Sequence, residues 1–139
     1  MDINIDNLEK YDTEHAEAGD KLICGYRSSF YDRWAFTQHI IKSVSDKRGD
    51  ITLDNGTRFD RHGRRYGRQR YDTSNDVLLE LNQDNVAEIN VYVKHRSLVF
   101  KTRKVLETLL KNECSKLEDM PIEKIEQLYE MVKDFAEGV

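Results

Sequence analysis

The stretch Gly49-Asp50-Ile51-Thr52-Leu53-Asp54-Asn55-Gly56-Thr57-Arg58-Phe59 places a short alternating run between two glycine-bearing turns. Asn-Gly between such runs is a strong hairpin signal, because a type I′ turn needs positive φ at both central residues. A hairpin over 51–59 is therefore predicted, with a second tight turn at His62-Gly63. Upstream, Lys21 to Arg27 and Trp34 to Val44 are rich in aromatic and β-branched residues with partial two-residue alternation, which reads as two strands joined by the polar turn from Ser28 to Arg33. Short strands separated by frequent turns point to a small antiparallel barrel or a strongly bent sheet over about 19–81. Val77 to Leu81 either closes that sheet or begins a helix, since five residues carry too short a period to decide.

Beyond Asp84 the period becomes helical. Val86, Ile89, Val93 and Phe100 lie near one face, Leu98, Val105, Leu106, Leu109 and Leu110 extend an apolar stripe, and Asn82 or Asp84 is placed to cap the start. Pro121 suits a first helical turn, and Ile122, Ile125, Leu128, Val132 and Phe135 follow at three- and four-residue steps. The expected fold class is α+β: an acidic N-terminal arm over 1–18, a small antiparallel SH3-like β-barrel over 19–81, and two C-terminal α-helices over 82–139 forming a hairpin packed on it. A chain of 139 residues fits one domain with one core.

Net charge is −4, but its distribution says more than its total. Residues 1–20 hold seven acids against Lys10, and residues 57–71 hold six arginines against Asp60. A basic centre between acidic ends bears on partners more than on fold. Cys24 and Cys114 lie far apart with no CxxC or His/Cys ladder, so they read as reduced thiols and no structural zinc is expected. No apolar run approaches the ~20 residues of a bilayer span, and the acidic first twenty residues are unlike a signal peptide. The expectation is a cytoplasmic protein with no membrane contact.

No GxSxG, Walker-type GxxxxGK, HExxH or GxGxxG occurs, and His15, His39, His62 and His95 are scattered without ligand spacing. Cys24 with His39 is a conceivable nucleophile and base, set against the plainer reading of a core thiol and a sheet histidine. Asp50, Asp54 and Asp60 cluster near the turns; a hard cation such as Mg²⁺, and with it a small metal-dependent nuclease, is the rival to turn aspartates bonding their own backbone. The turn reading is preferred, and the chain is expected to be non-catalytic, with no metal or cofactor.

The run from Arg58 to Tyr71 differs in kind. Arg58, Arg61, Arg64, Arg65, Arg68 and Arg70 are interleaved with Phe59, Tyr66 and Tyr71. Guanidinium forks match phosphate or carboxylate bidentately, and flat rings offer surfaces on which bases stack. The expected contact is nucleic-acid backbone, through these arginines with Tyr66 and Tyr71; an acidic protein surface is the alternative partner, and self-pairing with Asp72, Asp76 or Glu80 is the plainer reading. Hairpin geometry divides such a run between two faces, which leaves three or four arginines for a partner. Lys94, Arg96, Lys101, Arg103 and Lys104 form a secondary basic group on the first helix, against the reading of an ordinary polar face. The acidic second helix reads as a solvated face, with phosphate mimicry as its rival, and the helices are candidates for a homo-oligomer contact.

The segment from Gly19-Asp20-Lys21 through Ile51 to Gly63 and Gly67 resembles small bacteriophage and prophage proteins with an SH3-like β-barrel and often a helical tail, over roughly a third of the chain. The resemblance implies a barrel fold and a phage setting, hence a host cytoplasm. It implies no activity, and it makes a factor acting on a host enzyme or defence complex the alternative function.

Overall fold

The computed structural model describes residues 2–28, 33–67, 75–112 and 117–137. The fold is α+β. Strands β1 (Lys21–Arg27), β2 (Trp34–Val44), β3 (Ile51–Leu53), β4 (Arg58–Phe59) and β5 (Asn75–Glu80) precede helices α1 (Gln83–Asn112) and α2 (Ile122–Glu137). The strands form one antiparallel sheet of order β4-β3-β2-β1-β5. Residues 77–80, ambiguous by period, are therefore strand: β5 pairs with β1, Leu79 opposite Ile23.

Strand alternation sends residues to two cores. On one face Leu22, Ile41, Ile51, Leu53, Phe59 and Leu78 pack together, with Cys24 and Tyr11 against them. Phe59 of β4 and Leu78 of β5 come from opposite edges of the sheet order, so the sheet curls until its two edges share a core. On the other face Ile23, Leu79, Leu8 and Ile89 meet, joining β1, β5, the N-terminal arm and the first half of α1. Gly25 permits the close approach of Val77 and Phe36, since a Cβ there would lie 2.8 Å from Val77 Cγ1.

The arm docks on the sheet instead of hanging loose. Short 3₁₀ turns at Ile5–Asn7 and Thr13–His15 carry it, Leu8 is buried, and Lys10 bridges to Leu79 on β5. Tyr11 N donates to Leu78 O at 3.0 Å, and Glu80 N to Glu9 O at 3.0 Å. The buried Asn85 locks this junction. Its Nδ2 donates to Glu9 O at 2.9 Å and Glu80 O at 2.8 Å, and its Oδ1 accepts from Glu9 N at 3.0 Å. Asn82, not Asp84, caps α1 by accepting from Asn85 N at 2.8 Å.

The chain divides into two compact units, 1–95 and 96–139, with α1 crossing the boundary. Both cores lie in the first unit. Between Arg96 and Glu137 no described side chain is buried. Among the described residues no helix is long and apolar enough to cross a membrane.

Candidate functional site

Two hairpin loops, one at each end of β4, use the same backbone device. Gly56 N donates to Leu53 O at 2.9 Å and Leu53 N to Thr57 O at 2.9 Å. The central pair is thus Asp54-Asn55, one residue earlier than a type I′ Asn-Gly turn requires, and Gly56 follows at φ +84°. This is the three-residue hairpin loop in which glycine takes the left-handed position after the turn. The loop at 60–64 repeats it: Gly63 N donates to Asp60 O at 3.0 Å and Asp60 N to Arg64 O at 2.8 Å. Asp60 Oδ1 accepts from His62 N at 2.8 Å and Arg64 N at 2.9 Å. Burial opposes charge on that carboxylate, but these two amides outweigh it and hold its pKa below the usual range. The first loop thus carries Asp-Asn-Gly at its tip and the second Arg-His-Gly, with Arg61 and Arg64 exposed.

Asp50, buried to 5% exposure, anchors the neighbouring surface. Tyr66 Oη donates to Asp50 Oδ1 at 2.8 Å, and Arg58 Nη2 lies 3.5 Å from Oδ2. That hydrogen bond to Asp50 raises the Tyr66 pKa. The Arg58 guanidinium sits over the Tyr66 ring, 5.2 Å from its centroid. The loop from β2 to β3 folds against the same place: a Cβ on Gly49 would lie 3.2 Å from Arg61 Cβ, and the Arg48 charge acts on Tyr66. Arg48 and Lys47 are both exposed.

The predicted arginines therefore separate. Arg58 lies against Tyr66 beside Asp50, while Arg61, next to Gly49, and Arg64 are exposed on the loop at 60–64. Arg65 makes an ion pair with Asp76 on β5, Nη1 to Oδ1 3.7 Å, and the Asp76 side chain is only 5% exposed. Because Arg65 also bridges to Phe59 on β4, this pair links the two edges of the curled sheet and gives Arg65 a structural role. Arg68, Arg70 and Tyr71 lie outside the described residues. Arg48 and Lys47 were missed by sequence reasoning; their only signal was two bases in the turn Asp46 to Gly49, next to the hairpin in sequence.

The secondary group does not form one face. At 3.6 residues per turn, Lys94, Lys101 and Lys104 fall on one side of α1 and Arg96 and Arg103 on the opposite side. Lys104 Nζ rests 4.9 Å from the Phe100 ring centroid.

The remaining chemical candidates have local partners. Burial, with the Asp76 charge adding to it, pushes the Cys24 thiol up to about 11, away from thiolate chemistry. The His39 nitrogens meet Thr37 Oγ1 at 2.9 Å and Asp54 Oδ1 at 2.7 Å, while Cys24 pairs across the ladder with Thr37. The bond to His39 lowers the Asp54 pKa, and Asp54 Oδ2 also accepts from Ile40 N at 3.3 Å, tying the β3–β4 loop to β2. The three turn aspartates thus have separate tasks, and among the described residues no group of three His, Cys, Asp or Glu side chains is placed to hold a metal ion.

This arrangement presents the Arg58 guanidinium and the Tyr66 ring above the buried Asp50 carboxylate, with exposed arginines on the adjoining turns at 46–49 and 60–64. No protein-family model, curated protein or solved structure matches this chain.

Proposed function

We propose that this chain is a non-enzymatic binding protein, built on an SH3-like barrel, that contacts nucleic-acid backbone through Arg48, Arg58, Arg61 and Arg64, with Tyr66 as a stacking surface. The observation that carries the reading is the meeting of two separate turns, 46–49 and 61–64, at Gly49 and Arg61, beside the group of Arg58, Tyr66 and Asp50. Guanidinium groups held by backbone turns keep a fixed spacing, and phosphate contacts of this type give affinity without base selectivity. The phage setting implied by the sequence resemblance belongs to the same proposal.

Fluorescence anisotropy with labelled single- and double-stranded oligonucleotides over a salt series tests it. Affinity is expected to fall steeply with salt, and Arg61→Ala with Arg64→Ala to weaken binding to all sequences alike, reducing the log–log salt slope by about 1 per arginine removed. Absence of binding at low salt, or binding indifferent to salt, overturns it.

A second reading is favoured by Arg58 lying over the exposed ring of Tyr66, since arginine and tyrosine dominate protein interface hot spots. On it, the same surface engages an acidic protein, such as a host enzyme or defence complex. Partners captured from lysate that survive nuclease treatment and are lost in Arg58→Ala support it.

A further inference from the structure

The register of β1 and β2 places Thr37 and His39 on the face that carries Ile41, with Leu22 across the ladder from His39 and Cys24 across from Thr37. Leu22 and Ile41 are buried, so the His39 ring stands at the rim of the core, its side chain 15% exposed. Thr37, farther along the strand, is exposed. The β3–β4 loop brings Asp54 to the ring from the other side: Asp54 N donates to Ile40 O at 2.9 Å, and Ile40 N to Asp54 Oδ2 at 3.3 Å.

The two ring nitrogens therefore have different partners. Nδ1 lies 2.7 Å from Asp54 Oδ1, and Nε2 lies 2.9 Å from Thr37 Oγ1. The bond to His39 lowers the Asp54 pKa, so near neutrality this carboxylate only accepts; Nδ1 carries the proton, and in the neutral ring Nε2 is left to accept from the Thr37 hydroxyl. Hydroxyl to Nε2 and Nδ1 to carboxylate is the order in which a histidine takes a hydroxyl proton while an acid fixes its tautomer. The base is thus turned to Thr37 and not to Cys24, its candidate partner by sequence. The backbone adds a donor. Since the Ile40 N–H points to Asp54, strand alternation sends the Gln38 N–H, next to Thr37 in the chain, to that same side of β2, where it can meet an oxygen that becomes negative. Asp54, its side chain 47% exposed, disfavours a negatively charged reactant.

We propose that Thr37 is an acyl acceptor for activated, uncharged esters, with His39 as its general base and Asp54 as the residue that positions the base. Thr37 Oγ1 attacks the carbonyl carbon while its proton passes to His39 Nε2; the bond from that carbon to the leaving alkoxide breaks, and the alkoxide takes the proton from Nε2. The products are an ester on Thr37 and a free alcohol. This is a modification of the chain and does not depend on the binding reading of the arginine-bearing turns.

Incubation of the full chain with p-nitrophenyl acetate, followed by intact mass and peptide mapping over time, tests this. An acetyl group on Thr37 is expected, formed as p-nitrophenolate is released. His39→Ala should slow its formation about 100-fold, the lower range of what a general base contributes. Asp54→Asn should slow it about tenfold or more, because an amide can donate to Nδ1 and reverse the tautomer, and Asp54→Glu should recover part of the loss. The rate in the parent protein should fall on the acid side as the ring takes up a proton, and that dependence should vanish in His39→Ala, which a loss of packing alone would not cause. Thr37→Ser should keep the acetyl group at that position, Thr37→Val should lose it, and Cys24→Ala should leave the rate unchanged. Trp34, the single tryptophan, lies on β2 with Thr37, so its fluorescence shows in every variant whether the sheet remains folded. Acetylation confined to Cys24 or to amines overturns the proposal. So does acetylation of Thr37 at the same rate in His39→Ala.

Discussion

The two units of this molecule obtain order by different means. In residues 2–95 apolar side chains arrive from five strands, an arm and a half-helix, and Leu22, Ile51, Leu53, Phe59 and Leu79 lose all contact with water. In residues 96–137 the apolar residues are as large, but none of those described is buried. Composition does not separate the two; topology does. A sheet curling on itself makes an inside, while a helix makes only a face. The first unit carries its stability within its own core, and the second leaves large apolar side chains open to water.

The sharpest way to break the contrast is a matched pair of truncations. Phe59→Ala is expected to cost about 3–5 kcal/mol, because transfer and cavity terms add at a fully buried ring. Phe135→Ala is expected to shift stability by less than about 0.5 kcal/mol in dilute solution, as surface changes do. Urea unfolding of both at low protein concentration measures the difference.

Asn85→Ala tests the junction on which the first unit depends. Removing it strips partners from the carbonyls of Glu9 and Glu80 and from the Glu9 amide, with an expected cost of about 2–3 kcal/mol. Hydrogen exchange should then rise at residues 2–18 before it rises at β2. Gly25→Ala tests packing density: a methyl 2.8 Å from Val77 Cγ1 and 3.0 Å from Phe36 Cε1 should cost about 1–3 kcal/mol. Val77→Ala in the same chain should return part of it.

The smallest effect is in acid. Asp54 and Asp60 have pKa values held below the ordinary carboxylate range in the folded chain. Their contribution is present above the unfolded value and is lost as pH falls through the folded value, so the loops should loosen on the acid side only. Asp60→Asn should flatten the acid limb of a stability–pH curve by removing that contribution near neutrality, so that the variant and the parent protein converge at low pH.

Much of the first unit was legible. β1 to β4 follow from alternation and turn grammar, and β1 and β2 span Lys21–Arg27 and Trp34–Val44 as read. The Asn-Gly turn was found but centred one residue late, since local residue preference does not distinguish a two-residue loop from a three-residue loop ending in glycine. The docking of the arm was not legible: Ile3, Ile5 and Leu8 follow no sustained period, and their burial comes from 3₁₀ turns and from pairing with β5. The arginines were visible as a group. Their division was not, because what pairs with Arg65 is Asp76, on a strand at the far edge of the sheet, and what adds Arg48 is a turn whose Gly49 lies against Arg61.

The arm on β5 has a consequence for how the molecule behaves in a crowd. A terminal strand of a sheet offers an open row of amides and carbonyls that templates pairing with a neighbouring molecule. Here residues 9–11 occupy that row, held by Asn85. A nick or a bulky fusion that displaces them would convert the border of the fold into a seed for strand exchange, and aggregation would begin in a protein whose core was still intact.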